Sequence, residues 1–479
     1  MKNVFLRNDI VAAQATPPGV SAIAAVRVSG KDCMNVVLPF FFQKKISGSQ
    51  PLSLASLKPR RIYHGFWKNT EGHWVDEVQV VFYRAPFSFT GEDMAEIFTH
   101  GGFLPVQMVL NTLFENGARP AEPGEFSFRA FVNKKIDLIG AQTINALIHT
   151  ASPSVEEILA RQLHDQNEQP VFWIRERLLE LLASLEVAFD YPEEHYAEQP
   201  GRIVAAGEEI ARFFYAFIEK IEIAERLNQG LKVVICGRPN VGKSTLMNVL
   251  LGEDRAIVSE IPGTTRDYLS EPFLFHGLYI RLFDTAGLRQ TRDTIEKIGI
   301  RKTMELIDRA DLIIYLLDLE DRAEEEEPGM IENIRRKRKI ILINKCDKYP
   351  ETRLTDLEEG VKRKIEALTE PGAGQDPVFN ISALNQTGLS TVKETMKDIL
   401  YQASRIEEGT MWVPTFQIDL LKRAHAILTG GLERFRETGM FEILGQDLRE
   451  IVEIFDGITG RSFDEDILQT IFSKFCVGK

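Results

Sequence analysis

The chain has 479 residues and a mass of 54.3 kDa, too long for one hydrophobic core, so roughly two to four domains are expected. Its 44% apolar and 27% charged residues are those of an ordinary soluble protein; no apolar run approaches the ~20 residues of a membrane span, the opening MKNVFLRNDIVAAQATPPG lacks a signal peptide's apolar stretch and cleavage site, and a cytoplasmic location is expected. A formal net charge of -13 argues against a broad basic surface for nucleic acid, though not against a local contact, and Cys33, Cys236, Cys346 and Cys476, with no CxxC pair, argue against a disulfide framework or zinc site.

Residues 1–125 mix β-rich runs, IAAVRVSG and DEVQVVFYRAPFSF, with a helical stretch, FLPVQMVLNTLFENGA, that Gly117 ends; the pattern is α+β. From Phe126 the strands stop. Residues 126–229 read as helices: Ser154-x-x-Glu157 is a capping-box signal, RERLLELLASLEVAF has helical apolar spacing, and IVAAGEEIARFFYAFIEKIEIAERL runs on until Asn228-Gln229-Gly230 breaks it. Residues 230–404 alternate strands with helices through LKVVICG, YIRLFDTAG, ADLIIYLLDLE, KIILINKCD and PVFNISAL, which predicts a parallel sheet with crossover helices. Residues 405–479 return to helices. Neither helical flank alone holds enough helices for a bundle, which favours one helical domain interrupted by an insertion over two separate units.

The inserted block carries the chemistry. CGRPNVGKST fits G-x-x-x-x-G-K-[ST] at Gly237, Gly242, Lys243 and Ser244, between an apolar strand and a helix. There Asn240, Val241, Gly242, Lys243, Ser244 and Thr245 would wrap phosphates: glycines free backbone N–H groups, Lys243 faces the β/γ oxygens and Ser244 offers a hydroxyl to magnesium. Asp284 and Gly287 fit DxxG, with the carboxylate behind magnesium and the glycine backbone at the γ-phosphate. PGTTRD, Pro262 to Asp267, supplies threonine hydroxyls, Thr264 and Thr265, in a loop suited to close on magnesium. Asn344, Lys345 and Asp347 of NKCD follow a strand, and a carboxylate there accepts from the two adjacent donors of guanine. Ser382-Ala383-Leu384 places a backbone N–H for the guanine carbonyl. One element is out of pattern: Leu288 stands directly after DxxG, where many GTPases carry a water-orienting glutamine.

These residues resemble the Ras-like GTPases of the Era/Der type. VAAQATPPG, SFTGEDMAEIFTHGG, PAEPGEFSFRAFVNKKIDLIGAQ and the terminal CVGK extend the likeness over the whole chain, which is similar to the MnmE/TrmE family of tRNA-modifying GTPases; a KH module, as in Era, and a second GTPase block, as in Der, are both missing from the pattern. The resemblance implies an N-terminal α+β folate-binding-like and dimerisation domain, a central helical domain and an inserted α/β Ras-like GTPase domain. It implies hydrolysis with potassium, held by Asn240 and the backbone of Ser259, Ile261 and Thr264, in place of an arginine finger, and with Glu296 positioning the water. The potassium site would be sealed by two GTPase domains of a homodimer meeting face to face.

The resemblance further implies that Arg27, Glu96, Lys135 and Lys479 bind 5-formyl-tetrahydrofolate, whose glutamate tail suits cations and whose pterin suits a carboxylate, and that Cys476 serves one-carbon chemistry. VSAIAA, where the family often has glycines, is a departure beside that ligand. A flavoprotein partner, MnmG, would join in adding an aminomethyl-type group at carbon five of the tRNA wobble uridine, with tRNA held mainly through the complex. Cys236 and Cys346 read as core filler, and the basic IRRKRKI, Arg335 to Lys339, as a solvated helix end. A switch without modification chemistry, such as a ribosome-assembly GTPase, is the alternative that the folate-type motifs and CVGK argue against.

Overall fold

The computed structural model describes residues 9–44, 50–164, 170–190, 199–253, 270–284, 303–319, 328–349, 359–370, 376–462 and 465–478. Two compact units divide the chain: Met1–Asn145, Arg175–Val204 and Ala426–Lys479 form one, and Ala146–Ile174 and Ala205–His425 the other.

The first unit is built on a seven-stranded sheet of order β3-β4-β5-β6-β2-β1-β7: β1 (Ile10–Gln14), β2 (Ser21–Ser29), β3 (Phe41–Phe42), β4 (Ile62–Lys68), β5 (Trp74–Tyr83), β6 (Met94–Gly101) and β7 (Ala118–Pro120). All pairings are antiparallel except β1 with β7. Residues alternate between faces with period two. Ala12, Val26, Val28, Val80, Phe82 and Ile97 point into one core with Val106, Val109 and Leu113 of the helix Phe103–Glu115. The opposite face carries Val11 and Ala13 against Phe126, together with Arg27 and Ser29, which pair with Ala13 and Val11 across β1 and β2. The chain end belongs to this unit: Phe128, Phe131 and Leu138 pack with Leu468, Phe472 and Phe475.

The second unit holds a six-stranded sheet of order β13-β12-β11-β8-β10-β9, made of β8 (Leu231–Gly237), β9 (Ser270–Phe275), β10 (Leu278–Asp284), β11 (Leu312–Asp318), β12 (Lys339–Asn344) and β13 (Val378–Asn380). Its apolar runs are buried on both faces, as a sheet covered by helices requires: Val233, Ile235, Ile314 and Leu342 on one side, Val234, Cys236, Ile313 and Ile341 on the other. Pairings are parallel except β9 with β10. β9 lies outside the apolar runs that mark strands in the sequence. It is joined to β10 by the two-residue turn His276-Gly277, both at positive φ (47 and 82), the backbone that matches the twist of a tight hairpin.

Two local expectations meet the structure differently. The helix Pro153–His164 begins one residue before Ser154, with proline in the first turn, where its missing N–H costs nothing. Glu157 consequently faces Arg161, Oε1 accepting from Nη2 at 3.1 Å, and no capping box forms. Cys236 is buried core, whereas Cys346 is only half-buried in a turn after β12. The long helix Gln199–Gln229 ends at Gly230, φ 87, and its last turn holds both connectors of the α/β block. Arg226 Nη2 donates to Ala403 O (3.0 Å), while Glu225 accepts from Trp412 Nε1 (2.7 Å) and Thr415 Oγ1 (2.5 Å). No helix among the described residues is long and apolar enough to cross a membrane.

Candidate functional site

The strand-to-helix turn after β8 forms the phosphate end of a nucleotide site. Gly237 (φ 138) and Gly242 (φ 102) take conformations that a side chain resists; a Cβ at Gly242 would also collide with the Asn344 amide, and one at Gly237 with the Leu316 carbonyl. Asn240 turns the loop at φ 65 and is exposed. Lys243 opens the helix Lys243–Glu253, and its Nζ, nearly buried, donates to Gly237 O (3.0 Å) and Arg238 O (2.6 Å). Ser244 Oγ donates to Asp284 Oδ2 at 2.9 Å. The exposed first turn with Ser244 and Thr245 presents free N–H groups and the positive end of the helix dipole, an anion site by construction. A hydroxyl beside a carboxylate is the hard-oxygen pair that suits magnesium.

The base end is tied to the phosphate end through one side chain. Asn344 is buried; Nδ2 donates to Val241 O at 2.7 Å, and Oδ1 accepts from Ala383 N at 2.9 Å. Sequence had placed Asn344 with the guanine contacts, and the structure uses both ends of its amide to join the phosphate loop to the Ser382-Ala383 loop. Lys345 sits at φ 66 with Nζ on Asp318 Oδ2 at 2.6 Å, a partner that sequence reasoning missed although Asp318 ends the preceding apolar strand. Cys346 N donates to Ile381 O at 3.0 Å, and Ser382 Oγ accepts from Asn385 N at 3.1 Å. Asp347 is left exposed with no partner among the described residues. Ser259, Ile261, Thr264, Thr265, Gly287, Leu288, Glu296 and Lys479 lie outside the described residues.

A second polar site lies on the outer face of β2 and β6. Register opposes Arg27 to Glu96, and Glu96 Oε1 accepts from Arg27 Nη2 (2.9 Å) and Nε (3.1 Å). Arg27 lies over the rings of Phe89 and Phe126, 5.2 and 5.7 Å from their centroids, a cation–π setting. Tyr83 OH donates to Glu96 Oε2 at 3.2 Å; burial, then the Glu96 charge, pushes the phenol's pKa up. The chain terminus reaches this site: Arg27 Nη1 donates to Gly478 O (3.2 Å), and Gly124 N to Cys476 O (3.3 Å), with the Cys476 side chain exposed. Lys135 has no ion pair or side-chain hydrogen bond among the described residues; its stem lies against Gly91, where an added Cβ would come within 3.1 Å. Tyr83, Phe89 and Phe126 carry no local signal that marks them as site residues, since only the fold brings them to Arg27 and Glu96.

Behind this site is a buried charge network. Glu125 (0% exposed) accepts from Arg119 Nη2 (2.6 Å) and Arg129 Nη2 (2.9 Å); Arg129 (4% exposed) also donates to Asp9 and Glu92, and Glu92 accepts from Ser29 Oγ at 2.8 Å. Burial would raise the Asp9 carboxyl, and the arginines more than offset that and hold it below its usual range. Among the described residues no cluster of His, Cys, Asp and Glu could hold a metal.

The chain matches two family models, one described as the GTP-binding protein TrmE N-terminus over residues 10–135 and one as the MnmE helical domain over residues 138–476. The tRNA modification GTPase MnmE of Thermotoga maritima is 39% identical over 98% of this chain and 100% of its own length; that of Aquifex aeolicus is 35% identical over 99% and 100%. Among solved structures, an Era variant from Aquifex aeolicus bound to GDP and aluminium fluoride aligns at a TM-score of 0.28 with 25% identity, over 41% of this chain and 66% of that one.

Proposed function

The chain belongs to the MnmE (TrmE) family of tRNA modification GTPases, and from that premise we propose that it is a potassium-dependent GTPase that, with the flavoprotein MnmG, installs a (carboxymethyl)aminomethyl group at carbon 5 of the tRNA wobble uridine. GTP binding and a requirement for magnesium follow from membership itself. Domain limits at 1–125, 126–229, 230–404 and 405–479, with the third inserted between the helical second and fourth, are part of the proposal, as is a cytoplasmic location. The observation that carries the GTPase reading is the Ser244–Asp284 hydrogen bond at the mouth of the phosphate loop, which prepares a hydroxyl and a carboxylate for one cation.

In this reading Lys243 leaves the carbonyls it now holds and moves onto the β/γ oxygens, while Asp347 accepts from guanine. Ala383 N and the Ser382 loop meet the guanine carbonyl, held in register by Asn344. Thr265 would join Ser244 in holding magnesium. Potassium, when bound, supplies the positive charge that an arginine finger supplies elsewhere; Asn240, exposed and unpaired among the described residues, would hold it with the backbone of Ser259, Ile261 and Thr264. Glu296 then orients the water that Leu288 cannot. An apolar patch supports a homodimer through the N-terminal region: Val20 is 99% exposed, and Ile23, Phe103 and Leu104 are also largely exposed where β2 pairs with the end of β6.

Arg27, Glu96, Lys135 and Lys479 are proposed to bind 5-formyl-tetrahydrofolate or a related one-carbon folate, with Cys476 beside it. The fit is chemical: a carboxylate for pterin donors, a guanidinium between two aromatic rings, and a chain terminus already docked there. Replacing potassium by sodium, or Asn240 by Ala, is expected to slow GTP turnover at least about tenfold while nucleotide still binds. Equal turnover in the two salts would remove potassium from the mechanism.

A further inference from the structure

Asp318 closes β11, and the parallel register of β11 with β12 sets it beside Asn344. Both stand at the carboxyl ends of their strands, where an open α/β sheet gathers its ligand. Asn344 joins the phosphate loop to the Ser382-Ala383 loop. Asp318, which lies outside the NKCD motif, acts on the turn that follows Asn344.

The two carboxylate oxygens of Asp318 go to different residues. Oδ2 accepts from Lys345 Nζ at 2.6 Å, and Oδ1 accepts from Tyr349 OH at 3.3 Å. Between these partners lies the 3₁₀ turn Cys346–Lys348, which carries Asp347. Lys345 enters the turn at φ 66, in the left-handed region that a long side chain resists. The backbone closes the turn with Lys348 N on Lys345 O (3.0 Å) and Tyr349 N on Cys346 O (3.2 Å). Hydrogen bonds of 3₁₀ segments have poor geometry, so a carboxylate that grips both ends adds rigidity that the backbone lacks. The Asp318 side chain is 15% exposed and that of Lys345 26%, which strengthens their attraction over that of a pair in open water. Asp347, in the middle of the turn, is exposed.

Resting on Asp347 as the carboxylate that reads guanine, we infer that Asp318 is a positioning residue for base selection. It clamps Lys345 and Tyr349 at the two ends of the turn and so fixes where Asp347 points. A carboxylate that accepts from both the ring N–H and the 2-amino group of guanine must be held to within about 0.5 Å. In a looser turn it swivels onto one donor and loses the other. The 2-amino contact is what the clamp protects, and it separates guanine from hypoxanthine, which has the same ring edge without that amine.

The test is equilibrium binding of GDP and inosine diphosphate to the full-length protein, each competed against a fluorescent guanine nucleotide. The unaltered chain is expected to prefer GDP by about tenfold or more, the scale of one hydrogen bond to a charged group. Asp318→Ala is expected to bring the preference below about threefold, with the loss falling on GDP. Asp318→Asn keeps the shape and an acceptor but not the ion pair; it is expected to lower the preference about twofold or more, and it decides the matter if the alanine variant does not fold. A residue of structural importance alone would weaken both nucleotides alike and leave their ratio. The full GDP preference retained in the folded variants overturns the inference and leaves the Asp347 reading intact, whereas equal affinity of the unaltered chain for the two nucleotides overturns both.

Discussion

Asp347 and Asn344 stand three residues apart in one motif and do different physical work. Asn344 donates to Val241 O and accepts from Ala383 N, so it aligns two loops of the nucleotide site. Asp347 is exposed and unpaired among the described residues, which leaves its carboxylate free for a base that presents two adjacent donors. Asp347→Asn is expected to move preference from GTP toward xanthosine triphosphate, whose ring has an acceptor where guanine has a donor, at about 1.4 kcal/mol for each tenfold change in the ratio of affinities. Competition binding of the two nucleotides checks it, and unchanged GTP affinity contradicts it. The motif was legible because strand, turn and spacing are local. The role of Asn344 was not, because its partners come from positions 241 and 383, and only the folded sheet brings them together.

At the level of elements, the same distinction decides what could be read. The strands β8, β11 and β12 announce themselves as apolar runs because both of their faces are buried. β9 does not: its SEPFLF is exposed over the first half, as an edge strand paired on one side can be, so its pattern is weak and only the His276-Gly277 turn fixes it. The capping-box signal at Ser154 misled for a related reason, since Pro153 was free to start the helix earlier. No local pattern marks Glu225, yet it accepts from Trp412 and Thr415 at the exit of the α/β block, while Gln162 holds the Trp412 backbone from the other side with Nε2 on O (3.1 Å) and Oε1 on N (3.0 Å). Removing the carboxylate strands a half-buried indole N–H. Glu225→Ala is expected to lower stability by about 2 kcal/mol, the scale of hydrogen bonds to a charged group, with GTP affinity unchanged because no phosphate or guanine contact is involved. Denaturant unfolding beside a nucleotide titration reads both quantities; a drop in GTP affinity as large as the drop in stability would mean that the exit clamp also shapes the nucleotide site.

Over the whole molecule, the terminal residues and the nucleotide site fall in different compact units, which makes their contributions separable. Cys476 O and Gly478 O accept from Gly124 N and Arg27 Nη1, so the end of the chain is docked against the sheet face that carries Glu96. A Cβ at Gly478 would collide with the Gln14 carbonyl, so the backbone there lies close against β1. Deleting residues 476–479 removes these two hydrogen bonds, about 0.5–1.5 kcal/mol each, together with the thiol and the terminal lysine. GTP turnover of the truncated protein is expected to stay within about threefold of the intact chain, roughly 0.6 kcal/mol in barrier, because the phosphate loop, Asp284 and Asp347 are untouched. Wobble-uridine modification is expected to be lost if the tail serves one-carbon chemistry at the Arg27–Glu96 site. The two measurements belong on the same protein: mass spectrometry of tRNA from cells carrying the truncation, and GTP turnover of the purified chain. Retained modification would show that neither Cys476 nor Lys479 is needed. Loss of both activities would assign the tail to holding the first unit together, since a ligand site in one unit has no reason of its own to stop hydrolysis in the other.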